Sequence, residues 1–203
     1  MNSDLEKNKY VVLRDVLDQS VKDILANYVQ MKFFTLKDYE MWGGCLTPEF
    51  DAVQPYSKAR YADTFTEALM QYYTSKISEV SGKELAPTYS YLRYYERGQW
   101  LIKHKDRPAC QYSVTLPLFI YDQEEDPWEI FIEESPVKLN VGDMLVYKGC
   151  DALHWREPHQ GTFQVQAHLH YVDINDPAYR NFKFDKRCSI GAPEVKGINR
   201  NYA

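Results

Sequence analysis

The sequence predicts an α+β chain dominated by β structure, in which N-terminal helices flank a jelly roll. Three observations carry this reading. Two helical stripes of apolar residues fall within the first 82 positions. Beyond them the chain breaks into short β-prone runs separated by Gly, Pro and Asp turns. The length, 203 residues, suits one domain. We read 1–203 as a single domain: a strand, helices and an aromatic loop over 1–88, a β core over 89–173, and a tail over 174–203.

Tyr10 to Arg14 reads as a strand. Leu17, Val21, Ile24, Leu25 and Tyr28 then fall on one face of a first helix. From Phe33 to Tyr61 the periodicity breaks. Gly43-Gly44, Pro48 and Pro55 interrupt a run rich in Phe, Tyr and Trp, which reads as a lid, a substrate wall or an irregular packing layer. A second helix starts at Asp63 or Thr64, both good N-caps. It carries the stripe Phe65, Leu69, Tyr73, Ile77 and Val80, and ends at Gly82. Strands follow over 89–95, 99–106, 111–120, 129–133, 144–148, 152–155 and 163–172. The last ~20 residues lack periodicity and read as an extended tail.

The net charge is −5, which argues against a nucleic-acid or anionic-membrane partner. Lys183, Lys186 and Arg187 read as part of a solvated tail, and Asp122 to Asp126 as a solvated acidic turn. No apolar run is long enough to span a membrane, and the first residues lack the apolar core of a secretory signal. Cys45, Cys110, Cys150 and Cys188 form no CxxC pair, so we expect free thiols in a reducing, cytoplasmic setting.

His104-Lys105-Asp106 and the distant His154 are the most informative residues. On a strand, side chains two apart share a face, so His104 and Asp106 point the same way. A second strand carrying His154 closes a face of two imidazoles and one carboxylate. That is the ligand set of non-haem Fe(II) oxygenases. His168 and His170 also share a strand face and compete as ligands; we read them as polar lining or satisfied core histidines. Ser113 and Thr115 can face inward beside them.

Taken with Tyr95-x-x-Gly98-Gln99, the strand Ser113 to Leu116, Gly142-Asp143 and the final strand ending Tyr171-Val172-Asp173, these residues make the sequence resemble the Fe(II)/2-oxoglutarate-dependent dioxygenases, and their prolyl 4-hydroxylase-like branch in particular. The resemblance covers roughly 91–173 and implies a double-stranded β-helix core. It implies that His104, Asp106 and His154 hold Fe(II), that 2-oxoglutarate is the cosubstrate, and that O2 is consumed as a C–H bond is hydroxylated. The substrate would be a peptidyl proline, another protein side chain or a small molecule.

The sequence departs from that pattern at one point. The Lys or Arg that pairs with the far carboxylate of 2-oxoglutarate is replaced by Gln164, with Gln166 and His168 on the same strand face. A buried carboxylate needs a cation or several donors. Arg156, on the face of His154, and Tyr95 are the candidates, with Gln164 and Gln166 beside them. Arg93 and Arg107 are further ones. Two other readings stand: a non-catalytic jelly-roll binding module that keeps its metal, and a cupin-like isomerase or hydrolase using another divalent ion. Oligomeric state is not legible.

Overall fold

The computed structural model describes residues 3–37, 53, 54, 57–121 and 127–192. Most of the aromatic loop, the acidic turn, Cys45 and the end of the tail lie outside the described residues.

Helix α1 (Ser3–Asn8) and strand β1 (Tyr10–Leu13) lead into helix α2 (Gln19–Lys37). Strand β2 (Lys58–Tyr61) precedes helix α3 (Thr64–Ser81). Eight strands follow: β3 (Leu85–Glu96), β4 (Leu101–His104), β5 (Tyr112–Tyr121), β6 (Ile130–Ile132), β7 (Ser135–Val137), β8 (Met144–Tyr147), β9 (His154–Arg156) and β10 (Phe163–Asp173).

Helix α3 begins and ends where its caps dictate. The Asp63 carboxylate accepts from the Phe65 and Thr66 N–H groups, and Gly82 takes the left-handed conformation at the other end. Tyr28 of α2 donates to the same Asp63 carboxylate at 2.6 Å, which ties the two helices together.

The strands form two antiparallel sheets. One has six strands in the order β1-β8-β5-β10-β3-β2, the other four in the order β4-β9-β6-β7. The six-stranded sheet is buried on both faces, and its alternation sorts two kinds of residue. Leu92, Val114, Leu116, Val165, Ala167 and Leu169 point to the helices, where they pack with Leu25, Val29, Met70 and Ile77. Their neighbours Tyr91, Arg93, Ser113, Thr115, Gln166, His168 and His170 belong to the opposite face, toward the smaller sheet, and all but the half-buried Tyr91 are buried. An apolar face therefore stabilises the sheet, while a polar one is held out of water.

Several expectations need correction. Helix α2 runs to Lys37, beyond Phe33, and β2 lies in the stretch read as irregular. Ile24 is 56% exposed, whereas Leu17 and Leu25 are buried as expected and Val29 joins them. The short α1 and β7 were not anticipated, because six and three residues carry too little period to read. The segment after β10 is docked rather than extended. It forms short 3-10 turns within Arg180–Lys186, interrupted by non-helical backbone at Lys183, Phe184 and Asp185. Arg187, read as solvated, is buried and pairs with buried Glu67 at 2.5 Å.

Candidate metal centre and the cavity beside it

Strand β4 ends at His104, and β9 begins at the residue opposite it, His154. Two residues on from His104, Asp106 is fixed by its own backbone N–H donating to Gly149 O at 2.9 Å. The three side chains meet between the sheets. Asp106 Oδ1 lies 3.4 Å from His104 Nε2 and 3.5 Å from His154 Nε2, and the two imidazole rings are 4.3 Å apart.

The imidazoles are turned for metal binding. His104 Nδ1 sits 2.7 Å from Ile102 O and His154 Nδ1 3.0 Å from Ala152 O. A carbonyl only accepts, so each Nδ1 carries the proton and each Nε2 presents a lone pair. Donors bound to one ion at ~2.1 Å stand about 3 Å apart, close to the separations found here. The residues fit a divalent metal held by two neutral imidazoles and one carboxylate.

The surroundings hold Asp106 in place. Burial works against its carboxylate, but His154 and His104 outweigh that and keep it well below the ordinary carboxylate range. Burial likewise opposes the charged form of His154, and Asp106 overrides it and raises the imidazole. Asp106 Oδ2 accepts from Ser113 Oγ at 2.9 Å, and Ser113 Oγ lies 2.9 Å from His170 Nδ1. Gly149 packs so closely that an added Cβ would stand 2.5 Å from Asp106 Oδ2 and 2.7 Å from Ser113 Oγ. Arg107, the next residue, makes a two-point ion pair with Asp185 at 2.8 and 2.9 Å and lies over the Tyr89 ring.

A cavity of about 90 Å³ opens beside the three donors. Tyr89, Tyr91, Arg93, His168 and His170 line it from the large sheet, and Leu101 and Ile130 from the small one. Burial, then the nearby Arg93 cation, hold His168 neutral, and burial pushes His170 down to about 4.

Tyr95, Arg156, Gln164 and Gln166 are all buried, and none of them lines that cavity. They form a second group one layer away. Turned so that its oxygen faces the guanidinium, the Gln166 amide accepts from Arg156 Nη2 at 3.2 Å and from Gln164. Arg156 donates to Trp128 O at 2.9 Å, and its guanidinium lies over the Trp128 ring, which also packs against Tyr95. The Tyr95 hydroxyl donates to Gln54 Oε1, and Gln54 does line the cavity. No carboxylate pairs with Arg156 among the described residues. Burial draws its pKa down to about 10 despite the neighbouring Tyr95 and Tyr147. Arg156 Nε and Gln164 Oε1 are buried without hydrogen-bond partners.

The three donors meet as their strand positions imply, Tyr95, Arg156, Gln164 and Gln166 lie together behind them, and Tyr89 and Tyr91 join the lining. Tyr89 and Tyr91 share the strand face of Arg93 and Tyr95, so the period-two pattern already implied them. Gly149 and Asp185 left no such signal.

No protein-family model matches the sequence, and no curated protein matches it by sequence. Solved structures do match in shape. A prolyl-4-hydroxylase from Pseudomonas putida is 14% identical, with a TM-score of 0.62, over 84% of this chain and 95% of that one. A viral collagen prolyl hydroxylase from Paramecium Bursaria Chlorella virus-1, solved as a 2-oxoglutarate complex, is 12% identical with a TM-score of 0.58 over 82% and 97% of the two chains. HygX from Streptomyces hygroscopicus, solved with nickel, 2-oxoglutarate and hygromycin B, is 10% identical with a TM-score of 0.62 over 84% and 85%. No helix among the described residues is long and apolar enough to cross a membrane. The chain has the fold of the 2-oxoglutarate-dependent oxygenases, prolyl-4-hydroxylases among them.

Proposed function

We propose that the protein is an Fe(II)- and 2-oxoglutarate-dependent oxygenase that hydroxylates a C–H bond on a double-stranded β-helix scaffold. The observation that carries this reading is the convergence of His104, Asp106 and His154 with both Nε2 lone pairs turned inward. The buried, carboxylate-free Arg156 supports the cosubstrate. A lone buried cation is costly, and an incoming carboxylate removes that cost.

Fe(II) held by the three donors would supply O2 activation, in which 2-oxoglutarate becomes succinate and CO2 and the second oxygen atom becomes the substrate hydroxyl. The chain's own residues do the rest. Arg156 and the Tyr95 hydroxyl receive the far carboxylate of the cosubstrate, and the Gln164 and Gln166 amides complete its hydrogen bonds. Val53, Leu101 and Ile130 give the cavity apolar walls that limit water. Ser113 and His170 hold Asp106 at a fixed angle.

Gln54 marks the place of the cosubstrate's far end in this reading. Its amide oxygen sits on the Tyr95 hydroxyl, where a carboxylate oxygen of 2-oxoglutarate would sit. The domain is read as single, and the substrate as a peptide side chain or a small molecule. The structural neighbours include proteins solved with each kind.

The test is anaerobic titration with Fe(II) and 2-oxoglutarate, followed by charge-transfer absorption. We expect a band that needs both ligands, is absent in Asp106→Ala, and requires far more 2-oxoglutarate in Arg156→Leu. Metal binding with no band at any 2-oxoglutarate concentration would leave the metal-keeping binding module as the better reading.

A further inference from the structure

The proposed reaction uses the three donors, Arg156 and its neighbours, but leaves the β3–β10 side of the cavity unassigned. There the inner faces of two paired strands present Arg93 and His168. Gln166 stands opposite Arg93 and His168 opposite Tyr91, so Arg93 and His168 are diagonal neighbours on one face. Both line the cavity that holds the three donors, and both are at least nine-tenths buried, at 3% and 6% exposure.

Arg93 is held by its surroundings. One Nη donates to Ser57 Oγ at 2.8 Å, and the guanidinium lies over the Tyr91 ring. His168 Nε2 is buried without a hydrogen-bond partner. A neutral imidazole with one nitrogen unsatisfied in a cavity wall is costly unless a ligand completes it. The formally charged groups that the cavity lining presents are Asp106 and Arg93. Asp106 is committed to the metal, so Arg93 is the cation that meets any molecule brought up to the three donors.

We infer that this corner is the substrate's anchor, and that the substrate is a small carboxylate whose acid group is received by Arg93 and His168 Nε2 beside the metal. A guanidinium and a neutral N–H donor on one strand-pair face match the two oxygens of a carboxylate. Tyr89 and Tyr91 flank the same corner and supply aromatic wall for the carbon skeleton. The inference rests on the oxygenase reading, because it assigns the far carboxylate of 2-oxoglutarate to Arg156 and so gives Arg93 a different anion.

The experiment titrates the zinc-substituted, 2-oxoglutarate-saturated protein with propionate and, separately, propionamide. The readout is the imidazole nitrogen resonance of His168, assigned by its loss in His168→Gln. We expect a saturable shift with propionate, with Kd on the order of millimolar, and none with propionamide. Arg93→Gln should weaken propionate at least tenfold, about 1.4 kcal/mol, while 2-oxoglutarate binding by calorimetry stays within twofold. An N-acetylated aspartyl peptide that binds more tightly than propionate would keep the carboxylate site but move its source to a peptide. Equal shifts from propionamide, no saturable shift, or an unchanged response in Arg93→Gln would overturn the inference. Loss of 2-oxoglutarate binding in Arg93→Gln, with Arg156→Leu unaffected, would overturn it too by making Arg93 the cosubstrate anchor. Failure of 2-oxoglutarate to bind the native zinc protein would instead sink the oxygenase reading, and propionate added to that zinc protein would still test Arg93.

Discussion

The two faces of the six-stranded sheet are built from the same strands and differ in almost everything else. Toward the helices, Leu92, Leu116, Val165 and Leu169 are completely buried in apolar packing. One residue away along each strand, Arg93, Thr115, Gln164 and His168 are nearly as buried but polar, and some of their atoms have no partner. Burial alone therefore does not mark a core. The apolar face gains free energy from leaving water, while the polar face gives some up, and a fold tolerates the second where internal hydrogen bonds, a ligand or a reaction offset the loss. A slip of one residue in register would exchange the two faces, so the apolar side also specifies the position of the polar side.

The difference can be broken or sharpened by substitution. The largest effect should come from Asp106→Ala, which removes the carboxylate from the metal face. Turnover of 2-oxoglutarate should fall at least about a thousandfold, ~4 kcal/mol, with stoichiometric iron lost by metal analysis and the fold retained by circular dichroism. Leu116→Ala acts on the other face. It should cost roughly 2–5 kcal/mol of stability in denaturant unfolding and leave the KM for 2-oxoglutarate unchanged; a raised KM would mean that the faces are not separable.

Arg156→Leu should reverse that pattern. We expect the KM for 2-oxoglutarate to rise ~10²-fold, with an unfolding midpoint equal to or above that of the native chain, because an unpaired buried cation is removed. A lower midpoint with unchanged KM would make Arg156 structural. Gly149→Ala should act on both the site and the fold. Its new methyl group would overlap the Cys110 backbone O and crowd Asp106 and Ser113, lowering iron affinity about 10–100-fold in a chelator competition together with the unfolding midpoint.

The smallest effect lies away from both faces. Burial opposes the Asp143 carboxylate, but the Asp15 and Asn140 N–H groups and Arg14 outweigh it and lower its pKa. A carboxyl that titrates lower when folded stabilises above its unfolded pKa, and the benefit is lost as pH falls through the folded value. Denaturation midpoints of Asp143→Asn should thus converge on those of the native chain as the solution is acidified below the usual carboxylate range. Parallel curves would remove Asp143 from the acid response.

Much of this arrangement was legible because it is local. The stripe of α3 and its caps at Asp63 and Gly82 follow from a period and two residue types. His104 and Asp106 lie two apart at a strand end, and one strand brings His154 opposite. What escaped notice depends on distant partners. Lys58–Tyr61 is a strand because β3 offers it an edge, not because its four residues alternate strongly. Arg187 reads as a solvated cation until Glu67, far away in sequence, meets it in the core. Arg93 and Arg156 were both weighed as anion anchors, but only packing separates the one lining the cavity from the one behind it.

The clasp on Arg107 bears on when the site is finished. Asp185 reaches that guanidinium from a run of three left-handed residues, Phe184, Asp185 and Lys186, and lies 78 positions further along the chain. At ~5–20 residues per second, a ribosome needs roughly 4–16 s to travel that distance. All three donors, His104, Asp106 and His154, exist only for the last 31 of those positions, and the neighbour of Asp106 lacks its counter-ion until Asp185 is made. The buried ion pair beside Asp106 is therefore completed only after all three donors have been synthesised.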